Sequence, residues 1–155
     1  MYMKNILHLI IITSILQSYK PAKKNFQIEC QDVLSGEQVK LNVWDSKRKL
    51  KYRMSAAQRD AVYSILFSDM NSGNCNGMPP LLRNEAERNA FDAIADDFFS
   101  YKGDWKKFVR VSTIKSTSSQ LTGSDNSIYE ITVSKGQLRN FLIEKNILNS
   151  MNHGF

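Results

Sequence analysis

Two periodicities divide the chain. From Phe26 the apolar positions alternate, with Phe26, Ile28 and Cys30 on one side and Gln27, Glu29 and Gln31 on the other, the pattern of a strand with one face buried. Val39, Leu41 and Val43 repeat it against Lys40 and Asn42. Ser35-Gly36 between the two runs supplies turn chemistry, so the pattern predicts an antiparallel hairpin with one wet face. At Ser55 the period becomes helical. Ser55 and Gln58 fit a capping box, and Ala61, Val62, Ile65, Leu66 and Asp69 follow at helical spacing. Tyr63, Phe67 and Met70 widen the apolar stripe, which predicts a helix packed between the sheet and a second helix.

Residues 71–84, with Gly73, Gly77 and Pro79-Pro80, read as a loop. Asn84 as cap with Glu87 in the third position starts a second helix, whose inner face is Phe91, Ile94, Phe98 and Tyr101. Gly103-Asp104 ends it. Residues 105–114 then read as a strand through Phe108, Val109, Val111 and Ile114, although that face is not a clean alternation. The Ser/Thr-rich stretch 116–127 has no period and reads as a long exposed hairpin loop. Tyr129, Ile131 and Val133 alternate as a fourth strand. The last helix has Ser134 as cap, Gln137 in the third position, and Leu138, Phe141, Leu142, Lys145 and Leu148 on one face, with the Lys145 stem snorkelling. The order ββααββα predicts an α+β domain: a mostly antiparallel sheet of about four strands with helices packed on one face.

The N-terminus changes the picture of where such a domain works. Lys4 precedes an apolar run at 6–16, and Gln17 and Ser18 follow, the layout of a secretory signal peptide. A spanning helix needs about 20 apolar residues, and this run is shorter and contains His8, Thr13 and Ser14. The expected organisation is a signal peptide at 1–18, a flexible basic leader at 19–25, and a single α+β domain at 26–155, exported to the periplasm or secreted. A chain of 155 residues suits one small domain and excludes a (β/α)₈ barrel of about 250 residues. Its 42% apolar content excludes a disordered or collagenous chain.

Export would give meaning to Cys30 and Cys75, an even pair that an oxidising compartment can join. The alternative leaves Cys30 as a small buried hydrophobe on the inner face of its strand. The formal net charge is +6, and its densest patch is Lys47, Arg48, Lys49, Lys51 and Arg53. Such a cluster can meet phosphates, an acidic polymer or anionic lipid head groups, or it can be a solvated connector between strand and helix. No RNA-binding aromatic signature, zinc knuckle or Gly-rich phosphate loop accompanies it, so nucleic acid is not indicated.

Candidate chemistry is sparse. His8 lies in the apolar run and His153 near the C-terminus, which leaves no His-based triad, proton relay or multi-His metal site. Asp92, Asp96 and Asp97 gather on the second helix, with Glu85 and Glu87 upstream and Asp104 downstream. Asp92 and Asp96 share a helical face and can hold a hard cation or act as an acid/base pair, or they can form the solvated side of an amphipathic helix. Cys75 has no His partner to make it a nucleophile. Trp44 and Trp105 can form a carbohydrate or peptide platform, or belong to the core. No catalytic, cofactor or metal residues are assigned.

Three stretches carry a resemblance. Ala57-Gln58-Arg59-Asp60-Ala61 running to Leu66-Phe67, the Pro79-Pro80-Leu81-Leu82 loop with Phe98-Phe99 and the Trp105 to Val109 start, and the closing Leu138 to Gly154-Phe155 helix and tail are together similar to a group of small exported proteins of Bacteroidetes-type bacteria. The likeness covers roughly residues 55–155 and departs after Phe67, where a Gly is usual and Ser68-Asp69 stands. It implies an envelope or secreted location and one α+β domain, and brings no activity with it.

The expected function is therefore an exported, non-catalytic binding or assembly module of the cell envelope. Its partner would be another envelope protein or an anionic polymer, met through loops 71–80 or 116–127 or through the basic stretch. Two alternatives stay open: a small secreted hydrolase using Asp92, Asp96 or Asp104, and a basic effector or immunity-type protein.

Overall fold

The computed structural model describes residues 26–35, 37–45, 53–71, 73–75, 77–118 and 125–149. The expected signal peptide and leader, the Lys47, Arg48, Lys49 and Lys51 cluster, and His153 lie outside them. Strands β1 (Phe26–Leu34) and β2 (Gln38–Asp45) are followed by helices α1 (Met54–Phe67) and α2 (Glu85–Phe98), strands β3 (Val109–Ser118) and β4 (Asp125–Ser134), and helix α3 (Lys135–Glu144). The four strands form one antiparallel sheet in the order β1-β2-β4-β3. The α+β class, the ββααββα order and the first hairpin are as the sequence predicts.

Among the described residues, helices cover one face of the sheet. On the central strands, Val39, Leu41 and Val43 of β2 and Ile131 and Val133 of β4 have no exposed surface, because helices close over them. α1 does most of this, touching all four strands. Ala57, Ala61, Val62 and Leu66 are fully buried on it. α2 lies on its other side, with the Phe91 ring edge-on to Phe67 at 5.6 Å and Phe99 6.2 Å from Tyr63. The wide apolar stripe of α1 is thus explained by two neighbours.

The capping box expected at Ser55 and Gln58 does not form. α1 starts at Met54 with Arg53 as its cap; the Arg53 carbonyl accepts the amides of Ala56 and Ala57, and its side chain, which has donors only, makes no cap bond. Its far end is closed by the returning chain: the amides of Leu81 and Leu82 donate to the carbonyls of Ile65 and Leu66, both at 3.0 Å, and satisfy orphan acceptors of the last turn. Asp69 lies beyond the helix and is exposed. α2 does have the expected box, Asn84 Oδ1 accepting from the Glu87 amide while the Glu87 carboxylate reaches back to the Asn84 amide. Tyr101, expected on its inner face, lies past the helix end and is 85% exposed, with Lys106 Nζ over its ring.

Residues 104–108 are not a strand. They form a 3₁₀ turn, in which Trp105 and Phe108 fall on the same side, three residues apart, and are both buried. The Trp105 indole N–H donates to the Ser100 carbonyl at 3.0 Å and fixes the turn against the end of α2. Ser112 is the extra residue of a bulge between Val111 and Thr113, which is why the inward face of β3 reads imperfectly. The stretch 116–127 is not all loop either, since Ser116, Thr117 and Ser118 pair with Ser127, Asn126 and Asp125. Ser134 caps α3 by position but makes no side-chain cap bond. Lys145 lies just past α3, exposed, with its Nζ 5.6 Å from the centre of the Phe141 ring.

Candidate functional site

Cys30 and Cys75 are joined in a disulfide, their Cα atoms 5.6 Å apart. Both are buried, so the two readings of Cys30 merge: it is bonded and belongs to the core. The bond fastens the 70–78 loop to β1. Met70 and Met78 bridge the base of that loop, Gly73 forms a parallel bridge to Cys30, the Asn74 amide donates to the Cys30 carbonyl at 3.1 Å, and the Asn74 side chain donates to the Gln31 carbonyl at 2.7 Å. Gly73 has φ 73°, and a Cβ there would run into the Cys30 carbonyl oxygen, so only glycine fits.

The other predicted residues are dispersed. Of the basic stretch, Arg53 alone lies among the described residues, where it caps α1. Asp92, Asp96 and Asp97 are exposed on the solvent side of α2, and Asp104 pairs with Lys107 at 2.6 Å. Among the described residues no cluster of His, Cys, Asp or Glu is arranged to hold a metal ion. Trp105 is core, whereas Trp44 is half-buried on the uncovered face of the sheet.

That uncovered face has an ionic centre. Glu130 is 9% exposed and sits between Lys40 at 2.9 Å and Lys115 at 3.5 Å. The hydrogen bond from Lys40 holds its carboxyl below the usual carboxylate range, against the opposing effect of burial. Asn42, its cross-strand neighbour, has a buried Oδ1 with no partner among the described residues.

The concave site lies elsewhere. A cavity of about 40 Å³ opens between the 80–83 segment, the start of α2 and one face of α3, and Arg83, Lys135 and Arg139 all line it. Lys135 and Arg139 come from successive turns of α3. Arg83 is placed by the chain that closes α1, and its own amide donates to Glu87 Oε2 at 2.6 Å. Glu87 is therefore occupied by the α2 cap. Arg139 donates through Nη1 to Glu37, 2.6 Å from Oε1, and the Glu37 carbonyl accepts the Gly136 amide at 3.3 Å. Glu37 adopts a left-handed φ of 57° at the β1–β2 turn. Burial, with the Arg139 guanidinium next, holds the Lys135 ammonium below its usual range; Glu37 opposes this and Arg83 adds to it. A second, shallower hollow of about 340 Å³ is lined by Phe98 and Phe141 together with Asp97, Asp104, Lys102 and Lys145, whose charges balance.

No family model, no curated protein and no solved structure matches the chain.

Proposed function

We propose that this chain is an exported, non-catalytic binding module of the cell envelope, whose partner carries negative charge. The observation that supports it best is the Cys30–Cys75 disulfide, because such bonds persist in oxidising compartments and are rare where thiols are kept reduced. The apolar run at 6–16 behind Lys4 is consistent with the route out of the cytoplasm. An excess of six positive charges, three basic side chains around one cavity, and the Lys47 to Arg53 stretch favour an anionic partner.

Intact mass of native protein from separated cell fractions, with and without thiol alkylation under non-reducing conditions, tests the location. The expected species lies outside the cytoplasm, lacks about eighteen residues and takes up no alkylating reagent. Full-length protein with two free thiols in the cytosol overturns the reading.

A further inference from the structure

We propose that the cavity between the 80–83 segment and α3 is a binding site for a phosphate-type oxyanion, held by Arg83, Lys135 and Arg139. The proposal deepens the binding-module reading by naming the partner's chemistry, and it does not depend on export.

Three observations carry it. First, two of the three cations, Arg83 and Lys135, are placed by backbone anchors and not by ion pairing, while Arg139 is held by Glu37. Arg83 hangs from a segment tied to α1 by the Leu81 and Leu82 amides, and Lys135 and Arg139 project from one helix face. Second, counter-charge is short. The nearby carboxylates are Glu37, engaged by Arg139, and Glu87, engaged by the backbone amides of Arg83 and Asn84. Among the described residues neither Arg83 nor Lys135 makes an ion pair. Burial, and after it the Arg139 and Arg83 guanidinium groups, hold the Lys135 ammonium below its usual range against Glu37, and the charge of a bound anion would oppose this.

Third, the size and donor set select the ligand. A cavity of about 40 Å³ has room for about three water-sized groups, enough to seat one oxyanion head. Two guanidinium groups and an ammonium, arriving from two separate elements, can address more oxygens than the two of a carboxylate. A tetrahedral phosphoryl group presents them. Free phosphate and a phosphodiester within an anionic polymer share this chemistry.

The test is an amide-resolved NMR titration of the disulfide-intact protein at constant ionic strength, with inorganic phosphate, dimethyl phosphate and acetate as separate probes. Saturable shifts at Arg83, Lys135 and Gly136 with a phosphate probe, at least about tenfold tighter than with acetate, are expected. Preference for inorganic phosphate assigns a free anion, and equal or better binding of dimethyl phosphate assigns a polymer diester. Lys135→Gln should weaken phosphate binding about tenfold or more, and Lys135→Arg should restore it to within about threefold. Lys106→Gln, over the Tyr101 ring, should leave it unchanged. Lys135→Gln removes a crowded cation, so its melting temperature without phosphate should equal or exceed that of the parent. Arg83→Gln provides a second variant with the same expected loss of binding. Non-saturable shifts, equal response to acetate, or binding indifferent to both variants overturns the site. Export of a chain that fails this titration would leave the binding-module reading standing without this ligand.

Discussion

Glu130 and Ser64 are two buried polar residues with opposite fates. Glu130 lies between two lysines on the face of the sheet away from the helices, and the hydrogen bond from Lys40 holds its carboxyl below the usual carboxylate range. A lowered carboxyl contributes stability that is fully present above the unfolded value and is lost as pH falls through the lower folded one. Glu130→Gln should therefore be destabilised by about 1 kcal/mol at pH 7, a modest figure because Lys115 is half exposed, and should converge with the parent in strong acid. Urea midpoints at pH 7 and pH 2.5 check this, and equal differences at both would show that the ion pairs contribute nothing. Ser64 is fully buried on α1, and its Oγ has no partner among the described residues. Removing that hydroxyl takes away an unmet desolvation cost and adds a better helix former. Ser64→Ala is expected to raise stability by about 1 kcal/mol by the same measurement.

At the scale of elements, stability depends on where each helix finds its end partners. α2 carries its own in the Asn84–Glu87 box, so Asn84→Ala should cost about 1 kcal/mol by chemical denaturation. It should also loosen Arg83, whose amide is bonded to Glu87. The start of α2 was legible in the sequence because that cap is local chemistry. The start of α1 was not, since a Ser-x-x-Gln pattern matched by composition was overridden by a chain that enters the helix two residues earlier and is closed at its far end by Leu81 and Leu82 from a distant segment. The period-two runs of β1, β2 and β4 were legible because each has one face on the core. β3 was harder, because its bulge at Ser112 breaks the alternation and its far end has a polar sequence with no apolar period. The 3₁₀ turn depends on the Trp105 indole meeting a carbonyl five residues back, and short apolar runs do not reveal such a contact. The cation-lined cavity was not visible at all. Arg83 and the α3 pair are far apart in sequence, and each reads singly as a surface charge until the fold joins them.

For the molecule as a whole, the disulfide closes a loop with a sequence separation of 45 residues and joins the first strand to the chain leaving α1. On the chain-entropy account its loss should cost about 4 kcal/mol, a large share of the roughly 5–15 kcal/mol that holds a small domain together. Cys30→Ala with Cys75→Ala, or reduction, should lower the unfolding free energy read from urea denaturation by that amount. A shift under about 1 kcal/mol would mean that the bridges of Gly73 and Asn74 hold the loop alone. The same strap has a second effect, on assembly. A strand edge is a template for another chain, and this sheet has two, β1 and β3. The middle of β1 is already occupied, its Cys30 and Gln31 carbonyls taken by Asn74. Among the described residues the β3 edge carries no such strap, so a strand offered from outside meets open backbone groups along β3 where the middle of β1 has its carbonyls already taken.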